Sequence, residues 1–143
     1  MDLAPICLFT YNRLAETIKT VEALKGNELA SESDLIIFSD GPKNNDVSCE
    51  VAVVRQFIKT IDGFKSVTVR VSHVNKGLAS SIILGVSEVV RKYGRVIVLE
   101  DDLITSPNFL SFMNAALDFY AGKSVFSISG FSLKIVFPKN FES

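Results

Sequence analysis

Short apolar runs of strand length alternate with helically spaced stretches along this whole chain. Residues 4–9 are apolar, and Leu14, Ile18, Val21 and Leu24 then recur at the spacing of one helix face. The cycle repeats at residues 34–39, whose apolar heart is Leu35-Ile36-Ile37-Phe38. A helix is predicted after it over 46–61, with Val47, Val51, Val54 and Ile58 on one side. Residues 67–71 alternate like a half-buried strand and precede a helix over 78–92, apolar at Ile82, Ile83, Val86, Val89 and Val90. Residues 95–99 form a fourth run, rich in β-branched side chains. Ser106-Pro107 reads as a helix start, Ser as N-cap and Pro in the first turn, for a helix reaching about residue 120. Residues 125–129 read as a fifth strand, and the tail from Phe131 to Ser143 has no clear period. Strands joined by crossover helices pair in parallel through right-handed connections. The expected fold is therefore α/β: a three-layer α/β/α arrangement around a mostly parallel, Rossmann-like sheet, in one domain over residues 1–143.

Composition narrows the function. With 143 residues, 48% of them hydrophobic, the chain can fill one core. A net charge of -1 argues against a nucleic-acid partner held by electrostatics. No apolar run approaches the roughly 20 residues of a membrane span. The first residues lack the basic and apolar regions of a secretory signal. The expected compartment is the cytoplasm, including the inner membrane face. Cys7 sits in an apolar run and reads as a small core residue, and Cys7 and Cys49 have no metal-binding spacing. One histidine, His73, does not make a zinc site and reads as structural or exposed.

Polar side chains gather where four strands end: Thr10-Tyr11-Asn12-Arg13, Asp40, Asn75-Lys76-Gly77 and Glu100-Asp101-Asp102. In a parallel sheet these ends share one edge, so residues distant in sequence meet in one crevice. The three acids are the most informative group. Adjacent carboxylates repel each other and are costly to desolvate together, and a cation that neutralises them explains their place directly after a buried strand. Mg²⁺ typically takes one or two protein carboxylates and completes its shell with substrate phosphates, and Mn²⁺ shares the preference for oxygen. A solvated acidic loop is the plainer alternative. Asp40 can accept a hydrogen bond from a base or ribose, or simply close an Asp-Gly turn. Arg13 can balance phosphate or be a surface charge. Lys76-Gly77 can bring a cation and bare backbone to phosphates beside a helix N-terminus, or be only a turn. There is no G-x-G-x-x-G, G-x-x-x-x-G-K-[ST] or G-x-S-x-G pattern. Their absence argues against a dinucleotide oxidoreductase, a P-loop nucleotidase and a serine nucleophile elbow.

Six pieces in order carry a resemblance: Pro5-Ile6-Cys7-Leu8-Phe9-Thr10-Tyr11-Asn12-Arg13, Ile36-Ile37-Phe38-Ser39-Asp40, Asn75-Lys76-Gly77-Leu78, Val98-Leu99-Glu100-Asp101-Asp102-Leu103, Ser106-Pro107-Asn108-Phe109 and Ser127-Ile128-Ser129-Gly130. Together they resemble the nucleotide-binding half of GT-A fold glycosyltransferases, of the family-2 type and of the N-acetylglucosaminyltransferase I family. The resemblance implies sugar transfer from a nucleotide-diphosphate donor, a UDP-sugar favoured, to a hydroxyl of a glycan or other acceptor. It also implies Mn²⁺ or Mg²⁺, and a setting in bacterial polysaccharide or surface-glycan assembly. By the same resemblance Thr10 and Arg13 border the nucleotide, and Asp40 reads the base, usually uracil. Lys76 and Gly77 belong to the turn before the helix that backs the donor pocket. Glu100-Asp101-Asp102 is the D-x-D-type motif in an E-D-D form: Asp102 the direct metal ligand, Asp101 on ribose or the metal's water shell, Glu100 facing the donor sugar.

The resemblance also places the acceptor site and the catalytic base of inverting members beyond this strand set, and Ser143 falls about where that second half would begin. The expectation is a truncated donor-binding half with no base of its own. A non-catalytic or degenerate nucleotide-sugar-binding fragment is the alternative to a transferase. Apolar surface left uncovered would invite two copies to pair. A nucleotidyltransferase also sets acids at strand ends, but Thr10-Tyr11-Asn12-Arg13 is a poor version of the glycine- and basic-rich loop it needs.

Overall fold

A computed structural model describes residues 2–131 of the chain. Four strands alternate with four helices: β1 (Ile6–Thr10), α1 (Leu14–Lys25), β2 (Asp34–Ser39), α2 (Ser48–Ile58), β3 (Ser66–Val71), α3 (Leu78–Tyr93), β4 (Ile97–Glu100) and α4 (Phe109–Phe119). Every pairing is parallel, and the strand order is β3-β2-β1-β4.

Alternation of side chains across the sheet divides the core in two. Ile6 lies between Leu35 and Ile97, and Leu8 between Ile37 and Leu99. All are buried on the face covered by Val21 and Leu24 of α1, Val54 and Ile58 of α2, and Leu110 and Met113 of α4. Each fully buried side chain of this kind contributes roughly 1.5–3 kcal/mol. Cys7 and Phe9 point to the other face, where Ile82, Val86 and Val89 of α3 meet them. The result is the three-layer, Rossmann-like arrangement read from the hydrophobic period. Gly85 lets α3 approach closely: a Cβ there would stand 2.9 Å from Phe9 and 3.0 Å from Phe38. Those two rings stack at 4.9 Å between centroids.

β1 and β3 shift from their expected bounds by one or two residues, and four other readings change for a tertiary reason. Residues 125–129 form no strand. They pair with no edge of the sheet, and Phe126 is fully exposed. The Ser106-Pro107 pair does not open a helix, since α4 begins at Phe109. The Pro107 carbonyl instead accepts the Glu28 N–H, and the Asn27 side chain accepts the Leu110 N–H, so α1's C-terminal turn dictates where α4 starts. The fourth strand is Ile97–Glu100 rather than 95–99. Arg95 is drawn outward to the Asp118 carboxylate and the Asp2 carbonyl, while Glu100 still pairs with Phe9. Finally, α2 is shorter than 46–61. Its approach, Asn45–Val47, is a separate 3-10 turn capped by the Asn44 side chain. The tail from residue 132 onward lies outside the described residues.

Candidate functional site

The chain steps from β1 through β2 to β3 on one side, then returns to place β4 on the other side of β1. This reversal parts the connections at the carboxyl ends of β1 and β4, where open α/β sheets have a crevice. A cavity of about 460 Å³ occupies that edge and draws on all four strand ends. Thr10, Arg13, Asp40, Gly77, Glu100 and Asp101 line it. Of the other two residues singled out in the sequence, Lys76 lines a smaller neighbouring cavity of about 140 Å³. Asp102 is linked to the main cavity through Arg13. The stacked Phe9 and Phe38 supply its apolar wall.

Asp40 organises one side. Its carboxylate accepts the backbone N–H of Gly41, Lys76 and Gly77, each with a contact at 2.9 Å, and the Asn75 side-chain amide at 3.2 Å. One acid at the end of β2 therefore ties down the turn between β3 and α3. Two glycines make this closeness possible. A Cβ on Gly41 would fall 2.4 Å from the Val74 carbonyl carbon, which backbone cannot accommodate. Gly77 caps α3 with φ +78, a conformation costly for other residues. Thr10 is buried, and its hydroxyl donates to the Phe38 carbonyl at 3.2 Å.

The acids divide into unequal members. Asp101 is buried with both oxygens engaged: one accepts from Arg13 at 2.5 Å, the other from the Tyr11 N–H at 3.3 Å. Asp102 is half-exposed and meets Arg13 through one oxygen at 3.2 Å, and its other oxygen has no partner among the described residues. The Glu100 carboxylate makes no hydrogen bond among the described residues. Asp101's charge foremost, with both carboxylates' hydrogen bonds adding to it and desolvation opposing, raises Arg13 further above its usual range. The guanidinium is thus a fixed positive charge between two acids.

Among the described residues no three His, Cys, Asp or Glu side chains converge as a complete metal cage. The donor chemistry fits a different kind of site. Asp102 and Glu100 offer hard carboxylate oxygens not consumed by the fold, which suits a Mg²⁺- or Mn²⁺-type ion that takes one or two protein carboxylates and the remainder from phosphate and water.

Sequence reading missed two residues of this region. Tyr11 donates its N–H to Asp101, and its hydroxyl accepts the Lys43 N–H at 3.0 Å, pinning the loop after β2. Its place directly after the first strand was the available signal. Arg55 lies on the far side of the sheet and binds the ends of β2 and β3. Mid-helix position gave no hint of that role.

Residues 6–132 match the sequence model of glycosyl transferase family 2. No curated protein sequence matches. Among solved structures, the chain is similar to S. aureus TarS, with TM-score 0.59, 12% identity, and coverage of 83% of this chain and 20% of that one. It is also similar to the mannosyltransferase PcManGT from Pyrobaculum calidifontis in complex with GDP-Man and Mn²⁺, with TM-score 0.55, 14% identity, and coverage of 80% of this chain and 34% of that one. At these identities the likeness is one of fold, and this chain spans well under half of either neighbour.

Proposed function

The chain belongs to glycosyl transferase family 2 and has the GT-A fold, and from that premise we propose that its strand-end cavity binds the nucleoside diphosphate of a sugar donor, a UDP-sugar by preference, together with Mn²⁺ or Mg²⁺. The observation that carries the reading is the division of labour among the acids. Asp101, on the wall of a cavity of about 460 Å³, is committed to Arg13 and Tyr11, while the adjacent Asp102 keeps one oxygen without a partner among the described residues.

Each residue then has a role. Asp102 is the metal's protein ligand, with Glu100 facing the donor sugar. The metal, when bound, supplies positive charge to the leaving diphosphate. Arg13 presents a planar fork suited to phosphate, and its side chain is exposed enough (47%) to turn from the carboxylates toward one. Gly77 keeps the backbone bare where α3 begins, and a helix N-terminus favours anions. Thr10 and the stacked phenylalanines border the nucleoside. Asp40 is proposed on the base side. It has four donors on about four lone-pair sites, so it shapes the base pocket mainly by holding the turn that walls it.

Transfer to a glycan or other hydroxyl acceptor is the proposed reaction, in polysaccharide or surface-glycan assembly at the cytoplasmic side of a bacterial inner membrane. No helix among the described residues is long and apolar enough to cross a membrane. The preference for UDP rests on the resemblance of Asp40 to an acid that reads uracil, whereas the GDP-Man complex of the structural neighbour makes GDP the competing case. Two copies paired through exposed Phe112, Phe119 and Phe126 are part of the proposal.

Calorimetric titration of UDP, GDP and UDP-sugars with and without Mn²⁺ tests the reading, on this chain and on Asp102→Ala. The expected result is nucleotide diphosphate binding that needs Mn²⁺ and is lost in the variant. Binding that ignores both Mn²⁺ and Asp102 would remove the metal role, and no binding at all would remove the donor site.

A further inference from the structure

Arg55 is a half-buried cation with no carboxylate partner among the described residues. It rises from α2 on the face of the sheet opposite α3, and it does not line the cavity. Three of its five N–H donors are nonetheless engaged. Nε donates to the Ser39 hydroxyl at 3.0 Å, and Nη2 donates to the Asp40 carbonyl at 3.0 Å and the Ser72 carbonyl at 2.7 Å. The two carbonyls belong to the residues just past the ends of β2 and β3, where the sheet ladder stops and carbonyls need other partners.

We propose that Arg55 is a positioning residue for the donor site: it locks the carboxyl ends of β2 and β3 together from beneath, so that Asp40 presents its carboxylate to the turn that begins α3. The connection is a continuous set of contacts. Arg55 holds the Asp40 backbone, the Asp40 side chain holds the N–H groups of Lys76 and Gly77, and Gly77 lines the cavity. Arginine suits the task because one planar, permanently charged group reaches three oxygens on two strand ends. Hydrogen bonds from a charged donor to carbonyls are also stronger than neutral ones. A lysine's single ammonium cannot span the same three acceptors in that flat geometry.

This inference rests on the donor reading for its functional half and on hydrogen bonds alone for its structural half, so two measurements separate them. The first is amide hydrogen exchange of the ligand-free chain, wild type against Arg55→Ala and Arg55→Lys. Exchange at Gly41, Lys76 and Gly77 is expected to quicken about tenfold in Arg55→Ala, with Leu8 of β1 and Leu99 of β4, which Arg55 does not touch, unchanged and Arg55→Lys intermediate. The second is UDP titration with Mn²⁺ at a temperature where each variant is folded, with affinity expected to drop about tenfold in Arg55→Ala and to recover in part in Arg55→Lys. Uniformly faster exchange across the sheet, or UDP affinity equal to wild type, overturns the proposal. Should Arg55→Ala not fold, Ser39→Ala, which removes one of the three acceptors, and Arg55→Lys carry the same two readouts. If wild type binds no nucleotide, the donor reading fails by itself, and the exchange pattern still decides whether Arg55 holds the turn.

Discussion

Replacing Asp40 by asparagine asks whether one carboxylate holds the β3–α3 turn in place. Asp40 is 9% exposed and receives three backbone N–H groups and one side-chain amide. Asparagine has nearly the same shape but keeps only one accepting oxygen. If that oxygen retains Gly41 and Lys76, the new amide group faces the Gly77 N–H and the Asn75 amide, donor against donor. Two charge-assisted bonds at about 1.5–3 kcal/mol each would then be lost. Asn75 lies in an exposed turn, where water can replace one partner, so the low end applies. The expected loss is about 3 kcal/mol, which for a chain of this size lowers Tm by roughly 10 °C. The chain has no Trp, so urea unfolding followed by far-UV circular dichroism is the suitable assay. The midpoint should move with an unchanged slope. A stability change below about 0.5 kcal/mol, typical of an ordinary surface substitution, would refute the idea that this acid organises the turn.

Two glycines give a contrast in mechanism. Gly41→Ala drives a Cβ into the Val74 backbone and should cost about 3 kcal/mol or more. Gly94→Ala, at φ +76 with open space around it, should cost only about 1 kcal/mol of backbone strain. Parallel urea titrations compare them. The Cys7 thiol, buried and near Glu88, is pushed up to about 12 from 9.0, first by burial and then by that charge. Its folded pKa lies above the unfolded value, so its contribution to stability is complete below pH 9 and is lost as pH rises toward 12. The stability gap between wild type and Cys7→Ala should therefore narrow by about 1.4 kcal/mol per pH unit inside that window. A gap that stays constant would argue against a thiol held protonated by the fold. Thiol labelling of the native chain at neutral pH should report exposed Cys49 and not Cys7.

Much of the fold was legible because hydrophobic period is a local property. The bounds 34–39 coincide with β2, α3 differs from its predicted span by one residue, and α1 contains all four apolar residues that predicted it. The predicted strand at 125–129 has the right composition, but composition cannot supply an edge to pair with. Ser106-Pro107 likewise has the right chemistry for a helix start, yet its carbonyl and its neighbours are claimed by Asn27 and Glu28. At the site, the gathering of Thr10, Arg13, Asp40, Gly77, Glu100 and Asp101 followed from parallel strand ends sharing one edge. Arg55 was invisible because its acceptors are carbonyls, which every residue has.

The run Arg95 to Leu103 shows where the division falls. By itself the sequence determined that an apolar strand ends in three acids, because β-branched residues and charge order are written along the chain; that this strand lies at the end of the sheet with Val98 exposed was not legible. Only the tertiary structure decided that those acids are unequal. Arg13 and the Tyr11 N–H reach Asp101 across sequence separations of 88 and 90 residues and occupy both its oxygens. Asp102, one residue further on, is left half in solvent with one oxygen unpartnered among the described residues. Neighbours in sequence share a composition, but a hydrogen-bond donor serves the oxygen that the fold brings within 3 Å or so of it, and that choice is made between elements, not along them.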